Sequence, residues 1–420
     1  MGDRIGVRRL ECLDGLRGVL AVYVLLSHMA PFAAVPHWLA QSLSHGEAAV
    51  DVFFILSGMV IVRSLEGFGY DARAFLIARA GRIFPVFLLV FPVAVAVQVL
   101  PTGFERMPWI GPDSPARSIW SGGWPANWLP EIVAHLTMSH GLFPNGVLPD
   151  AWVSFLGASW SLSTEWQFYV LVAGSAGWLQ RDRPGAMRLA WLLLALAAAG
   201  VAWNAAVPAE WRFSRAFLPN KAQYFALGIA AAALQRQAEA GSIFRYAVVL
   251  AATLLLCVAG GGGKLWAPVV WTVCLCAQMA PRAPGLRPLA AALASPPLLW
   301  LGAVSYCIYL VNEPVQKMLG VALAALVGNN AALFTACWLP AAILFPLGFG
   351  WVLHVTVEQA GQRWGRTASR RAVQARLSRS CGRVGLQSEP GEGPAVAVGR
   401  RQGRGWAATE GSPSNAPGIT

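Results

Sequence analysis

Apolar runs long enough to cross a lipid bilayer recur almost from one end of this chain to the other, and nothing constrains its fold more. A helix needs about 17–25 predominantly apolar residues to span the hydrocarbon. Windows of that kind fall at 15–35, 48–66, 83–100, 161–178, 187–205, 221–235, 243–259, 264–280, 298–320 and 331–355, the sixth short and the fourth beginning in polar sequence. In lipid every backbone N–H and C=O must be satisfied within the segment, so these runs are helices. The fold class expected is all-α: a polytopic membrane helical bundle of about ten transmembrane helices. Charged residues make up 12% of the chain, about half the share of a soluble domain.

Charge placement sets the orientation. With the N-terminus inside, 25 of the 32 Lys and Arg residues fall on the inner side, the pattern of retained cytoplasmic loops. An odd number of spans would break it, so both termini are expected in the cytoplasm. The net charge of +12 does not point to nucleic acid, because ten basic residues lie beyond Gln362 and most others flank apolar runs. Arg4, Arg8 and Arg9 before Val19–Leu26 resemble a signal peptide, but Arg17 and His28 would spoil its apolar region. A retained first span is the reading adopted. The seven cysteines show no CxxC or zinc spacing and lie mostly in apolar runs, so they read as core residues.

Two regions are expected: a membrane-integral domain over 1–361 and a disordered, basic cytoplasmic tail over 362–420. The tail is rich in Arg, Gly, Ser and Pro and has little to bury. The one long loop between spans, 101–159, carries Trp109, Trp120, Trp124 and Trp128. Tryptophan suits headgroup depth and also stacks on sugars; the interfacial role is the reading for most. Glu131 to Phe143 reads as a helix lying flat or re-entering.

Ionisable groups in apolar helices are costly and usually face a bundle interior or a wet path. The first span carries three. Arg17 and His28 are eleven residues apart, about three whole turns, so they share a face about 16 Å apart along the axis. Asp14 lies one turn below Arg17, near enough to pair with it. Ser161, Glu165 and Tyr169 recur every four residues on one face. Glu165 is placed to position a substrate or steady a protonated His28, though a helix cap with an acid in the first turn explains the same pattern. Asp51, four after Glu47, is either a helix-start residue or a substrate contact. Arg79 and Arg82 share a face beside the inner surface, where arginines are ordinary topology signals. Ser305, Tyr309, Asn312 and Gln316 form a polar stripe that helix-to-helix hydrogen bonds explain. His354 and Glu358, at i and i+4, read as a hydrogen-bonded pair; without a third ligand at useful spacing, no metal site is expected.

The chain resembles acyltransferase family 3, bacterial membrane-integral acyltransferases that include O-antigen acetylases and nodulation-factor modifying enzymes. Five stretches carry the likeness in order: Leu13-Asp14-Gly15-Leu16-Arg17-Gly18 with His28; Gly46 with Val50–Gly58; Arg79-Ala80-Gly81-Arg82-Ile83-Phe84-Pro85; Trp160–Tyr169; and Ser305–Leu310. Two departures stand out. Many members have a histidine where this chain has Asn312, before Glu313-Pro314. Many also follow the acid of the last helix with a proline two positions on, where Glu358 is followed by Gln359-Ala360.

The resemblance implies an acyl-coenzyme A donor, acetyl-coenzyme A as the expected case, bound past Arg79, Arg82 and Arg17. It implies a carbohydrate or small-molecule hydroxyl as acceptor, and His28 as general base. Arg17, Asp14 and Glu165 complete the expected catalytic set. Asp51, Ser161, Tyr169, Ser305, Tyr309 and Asn312 are the expected acceptor-side contacts. An imidazole titrates near neutrality and suits proton abstraction from a hydroxyl. No serine or cysteine nucleophile stands out, so direct transfer is expected. The expected setting is the inner (plasma) membrane, with the lipid bilayer as a partner and no nucleic acid. A transporter or flippase of a polar lipid or glycan, and an inactive scaffold, are the alternatives; internal repeats of the transporter kind are not found in the sequence.

Overall fold

A computed structural model describes residues 10–120, 122–181, 185–261 and 265–385, with side chains given at 376 and 378 but not at 377 or 379–385. Residues up to Ala375 pack as one unit, and a second begins at Arg376. Each of the ten apolar windows falls on a helix: α1 Glu11–Met29, α2 Gly46–Gly67, α3 Ala72–Val97, α4 Ser159–Gly174, α5 Gly185–Ala206, α6 Ala222–Arg236, α7 Ala240–Ala259, α8 Trp266–Met279, α9 Pro296–Val327 and α10 Ala331–Leu353. A π-helical turn, His354–Glu358, joins α10 to α11, Gln359–Gly385. Seven helices are long and apolar enough to cross a membrane by length and composition; Trp266–Met279 is apolar but shorter, and α4 and α6 have 16 and 15 residues. The protein is an all-α polytopic bundle, with no strand among the described residues.

Two boundaries differ from the sequence reading for identifiable reasons. Helix α3 starts eleven residues before its apolar window, because Asp71 caps it by accepting from the Ala74 N–H at 2.9 Å. Arg79 and Arg82 therefore stand on the helix itself. The expected disordered tail is helical through Gly385; 386–420 lies outside the described residues. Ala- and Arg-rich sequence propagates a helix readily. Its first turns are also anchored: Ser369 donates to the Ala74 carbonyl at 2.7 Å, and Gly365 lies against Gly81.

Helices α1 and α9 form the central pair. A Cβ at Gly18 would meet Leu298 and Gly302, and one at Gly302 would meet the Asp14 carbonyl; one at Gly15 would meet the carbonyl of Leu293, which ends the short helix Arg287–Leu293 just before α9. Bare glycines let the two backbones approach, as small residues do between helices in lipid. The close approach brings the polar stripe of α9 alongside the ionisable face of α1. Gln316 on that stripe donates to the carbonyls of Leu25 (3.4 Å) and Ala342 (3.1 Å), tying α9 to α1 and α10.

The described residues of the loop 101–159 pack against the bundle, with a short helix at Trp128–Leu136. Trp120 departs from the interfacial expectation. It is 1% exposed, its ring centroid 3.7 Å from Phe32, and it packs with Trp338 in a second apolar cluster. Gly320 on α9 is the notch that admits its indole. Trp124 and Trp128 are exposed and pack edge to face with centroids 5.2 Å apart.

Candidate active site

Two cavities lie along the polar face of α1, one at each end. The arginine cavity, about 1020 Å³ with its mouth, is lined by Asp14, Arg17, Arg79, Arg82, Glu165 and Tyr169, with Ser57, Ser161, Ser305, Tyr306 and Tyr309. The histidine cavity, about 1510 Å³ with its mouth, is lined by His28, Glu47, Asp150, Arg215 and Glu313, with Trp124, Trp152, Trp160 and Tyr309. Val50 and Tyr309 belong to both walls. These shared side chains divide the two cavities along α1.

In the arginine cavity the guanidinium groups have ordered surroundings. Arg17 Nη2 reaches Ser305 Oγ at 3.5 Å. Arg79 donates to Ser64 Oγ and lies over the rings of Phe75 (5.6 Å) and Tyr169 (5.5 Å). Its Nε–H is buried without a partner. Glu165 is held from two sides: Ser57 Oγ donates to Oε1 at 2.9 Å, and the Tyr169 hydroxyl donates to the same oxygen. Glu165 thus joins the arginines and does not line the cavity that holds His28. A buried unpartnered donor among three arginines suits an anionic ligand.

In the histidine cavity the central contact is His28 Nδ1 to Asn312 Oδ1, 2.9 Å. The amide nitrogen of Asn312 donates to the Tyr309 carbonyl at 2.7 Å, which turns its oxygen toward the imidazole. An oxygen can only accept, so Nδ1 carries the proton and the lone pair resides on Nε2. Position 312, noted in the sequence as a departure from the resembled pattern, therefore touches His28 directly. Next to it Glu313 accepts from the Ala158 N–H at 3.3 Å. Gly157 leaves room for that carboxylate, since a Cβ there would lie 2.7 Å from Oε2. Pro314 has no N–H, so one rung of α9 is missing beside these two side chains.

The dividing layer is hydrogen-bonded. Tyr309 Oη lies 2.9 Å from Ser161 Oγ and donates to the Ala158 carbonyl at 3.0 Å, joining α9 to the start of α4. Asp51 lines neither cavity. It is fully buried and takes the Lys221 ammonium at 2.6 Å, while Glu47 bridges Lys221 (2.9 Å) and Arg215 (2.6 Å). This network ties α2 to the start of α6 and aims Arg215 over Trp152 at 4.5 Å.

Glu47, Arg215 and Glu313 were not selected as site residues from the sequence. Glu313 carried the same signal as His28, an ionisable group inside an apolar helix. Arg215 carried none, being a loop arginine whose position follows only from folding.

The fold and site are those of an all-helical membrane bundle with a cationic cavity and an imidazole cavity along one helix. The acyltransferase-domain model of acyltransferase family 3 matches residues 10–355, and the chain belongs to that family. It is 28% identical over 339 residues to acyltransferase MdmB of Streptomyces mycarofaciens, covering 74% of this chain and 80% of that protein. No solved structure matches. The protein is a membrane acyltransferase.

Proposed function

We propose that this acyltransferase moves an acyl group, acetyl in the simplest case, from acyl-coenzyme A to a hydroxyl of an exported or surface carbohydrate or a related small molecule. The inner membrane is the proposed setting, with both chain ends in the cytoplasm. The observation that carries the proposal is the fixed tautomer of His28, whose Nδ1–H is committed to Asn312 while Nε2 keeps its lone pair.

The residues fit an acyl-coenzyme A donor on physical grounds. Arg17, Arg79 and Arg82 line one cavity, and the unpartnered Arg79 Nε–H is a donor in need of an anion. An acyl thioester supplies the electrophilic carbonyl. Nε2 of His28 takes the proton of the acceptor hydroxyl as its oxygen bonds to that carbonyl. The C–S bond breaks, and the imidazolium returns the proton to the departing thiolate. Asn312 holds the ring through both transfers, and Glu313 stands beside it to bind further hydroxyls of the acceptor. Arg215 and the rings of Trp152 and Trp160 suit the polar edges and apolar faces of a sugar or related ring. On this reading the septum of Val50 and Tyr309 is the point the acyl group must pass.

The test is incubation of the purified protein in nanodiscs with acetyl-coenzyme A and a panel of glycan and polyol acceptors. Thiol release matched by O-acyl ester in the acceptor is expected. Acceptor transport without thiol release from any acyl donor would contradict the proposal.

A further inference from the structure

We propose that Cys307, His354 and Glu358 form a binding site for one soft divalent metal ion, zinc being the natural occupant. The sulfur, imidazole nitrogen and carboxylate oxygen all lie within 4.8 Å of one another. Cys307 Sγ is 3.2 Å from Glu358 Oε2, and His354 Nδ1 is 2.8 Å from the same oxygen. Ligand atoms around a tetrahedral zinc, with bonds of about 2.0–2.3 Å, are about 3–4 Å apart. The two carboxylate separations, 3.2 and 2.8 Å, are close to that spacing, and the sulfur and imidazole nitrogen lie within 4.8 Å. The thiol and the imidazole both make their hydrogen bond to one carboxylate oxygen, Glu358 Oε2, so a single cation could replace both contacts.

The sequence spacing concealed this trio. His354 and Glu358 lie on the π-helical turn, and Cys307 comes from α9, 51 residues from Glu358. A π-turn widens the helix locally and recurs at functional sites. Here it presents both residues of one turn to a single sulfur on the neighbouring helix. Cys307 is fully buried, and the side chains of His354 and Glu358 are 16% and 3% exposed.

The surrounding groups are those a bound metal requires. Glu358 Oε1 accepts from Gln362 Nε2 at 2.9 Å, which orients the carboxylate. Gln359 Nε2 lies 3.2 Å from His354 Nε2. Rotating that amide presents its oxygen to an Nε2–H, the partner that metal-bound imidazoles use. On binding, the Cys307 proton goes to solvent and the sulfur coordinates as thiolate. The imidazole proton moves from Nδ1 to Nε2, so one proton is released overall. A thiolate, an imidazole and a carboxylate select zinc or cobalt over magnesium or calcium. Thiolate and carboxylate offset the charge of the ion, as the site requires because Arg17 and Arg82 lie within electrostatic reach of Glu358. A water completes the fourth position. None of the three ligands lines either cavity, and the site does not depend on the donor or acceptor assigned above.

The test is titration of chelator-treated, full-length protein in detergent with Co²⁺ alone. One equivalent is expected to bind, with a thiolate-to-cobalt band in the near ultraviolet and the intense visible bands of a four-coordinate ion. C307S should abolish the near-ultraviolet band, and H354Q should weaken binding at least tenfold. The C276S/C337S protein, lacking the exposed and part-exposed thiols among the described residues, should keep the band. Absence of the band in wild type, or its persistence in folded C307S, overturns the proposal. Should C307S fail to fold by size exclusion and helical circular dichroism, H354Q decides: unchanged affinity overturns the site and loss of affinity supports it.

Discussion

The two cavities on α1 share a wall and differ in almost everything else. The arginine cavity sets Arg17, Arg79 and Arg82 against Asp14 and Glu165; the histidine cavity sets Glu47, Asp150 and Glu313 against Arg215, with His28 among them. One excess is cationic and the other anionic. A ligand rich in phosphate is favoured in the first and disfavoured in the second, whereas a neutral polyol finds acceptors in the second. On the proposed reading, this difference would sort donor from acceptor by charge before any chemistry, with α1 lining both cavities.

The sharpest way to break that comparison is to remove the imidazole. H28A should lower kcat by about 10²–10⁴-fold, the range for a lost general base, and leave donor affinity by calorimetry unchanged. Equal damage to donor affinity would mean that the two cavities are one site.

How far this division was legible in the sequence depends on the range of the contacts. The ten windows landed on helices because hydrophobicity is local. Asp14, Arg17 and His28 stood out for the same reason. The His28–Asn312 bond joins residues 284 apart and the Asp51–Lys221 pair residues 170 apart, so neither could be read from spacing. Asp51, read as either a helix-start residue or a substrate contact, is a buried strut paired with Lys221. Glu165, expected beside His28, faces the arginines because α4 descends past the septum within one turn of Ser161. Trp120 matched the interfacial composition of its loop and is core, since Gly320 opens a notch that only folding creates.

On the cationic side, R79A and R82A should each raise the KM for acyl-coenzyme A by about ten- to a hundredfold, the worth of one charge-assisted hydrogen bond. Turnover at saturating donor should change little. A fall in kcat at constant KM would place these arginines in the transition state rather than in donor binding.

A smaller effect tests the tautomer. N312A should lower kcat about tenfold, roughly 1.4 kcal/mol, because one hydrogen bond orienting the imidazole is lost. KM for the donor should stay constant. Nitrogen-15 spectra of the His28 ring should show a protonated Nδ1 in wild type and a mixture of tautomers in N312A.

The smallest effect concerns the loop that roofs the histidine cavity. The rings of His135 and His140 stack 4.2 Å apart in its interior, and neither His135 Nε2 nor His140 Nδ1 has a partner. Burial pushes His135 down to about 4 and His140 well below its ordinary value. The unfolded loop therefore binds more protons than the folded one, so the His135 contribution is full above about pH 6.5 and is lost as pH falls toward 4. That contribution is at most about 3 kcal/mol. Burial raises Glu131, which works in the opposite sense. Wild type minus H135Q isolates the histidine: the difference in amide exchange over 101–159 should shrink between pH 6.5 and 4.5. A difference that does not move with pH would remove the electrostatic account of this roof.

The division of labour between the cavities is tested most directly by a sided assay in sealed proteoliposomes. Acyl-coenzyme A is supplied at the face where the arginine cavity opens and the hydroxyl acceptor only at the opposite face. Ester should form across the intact bilayer and vanish in H28A. Transfer that proceeds only when donor and acceptor share one side would contradict it.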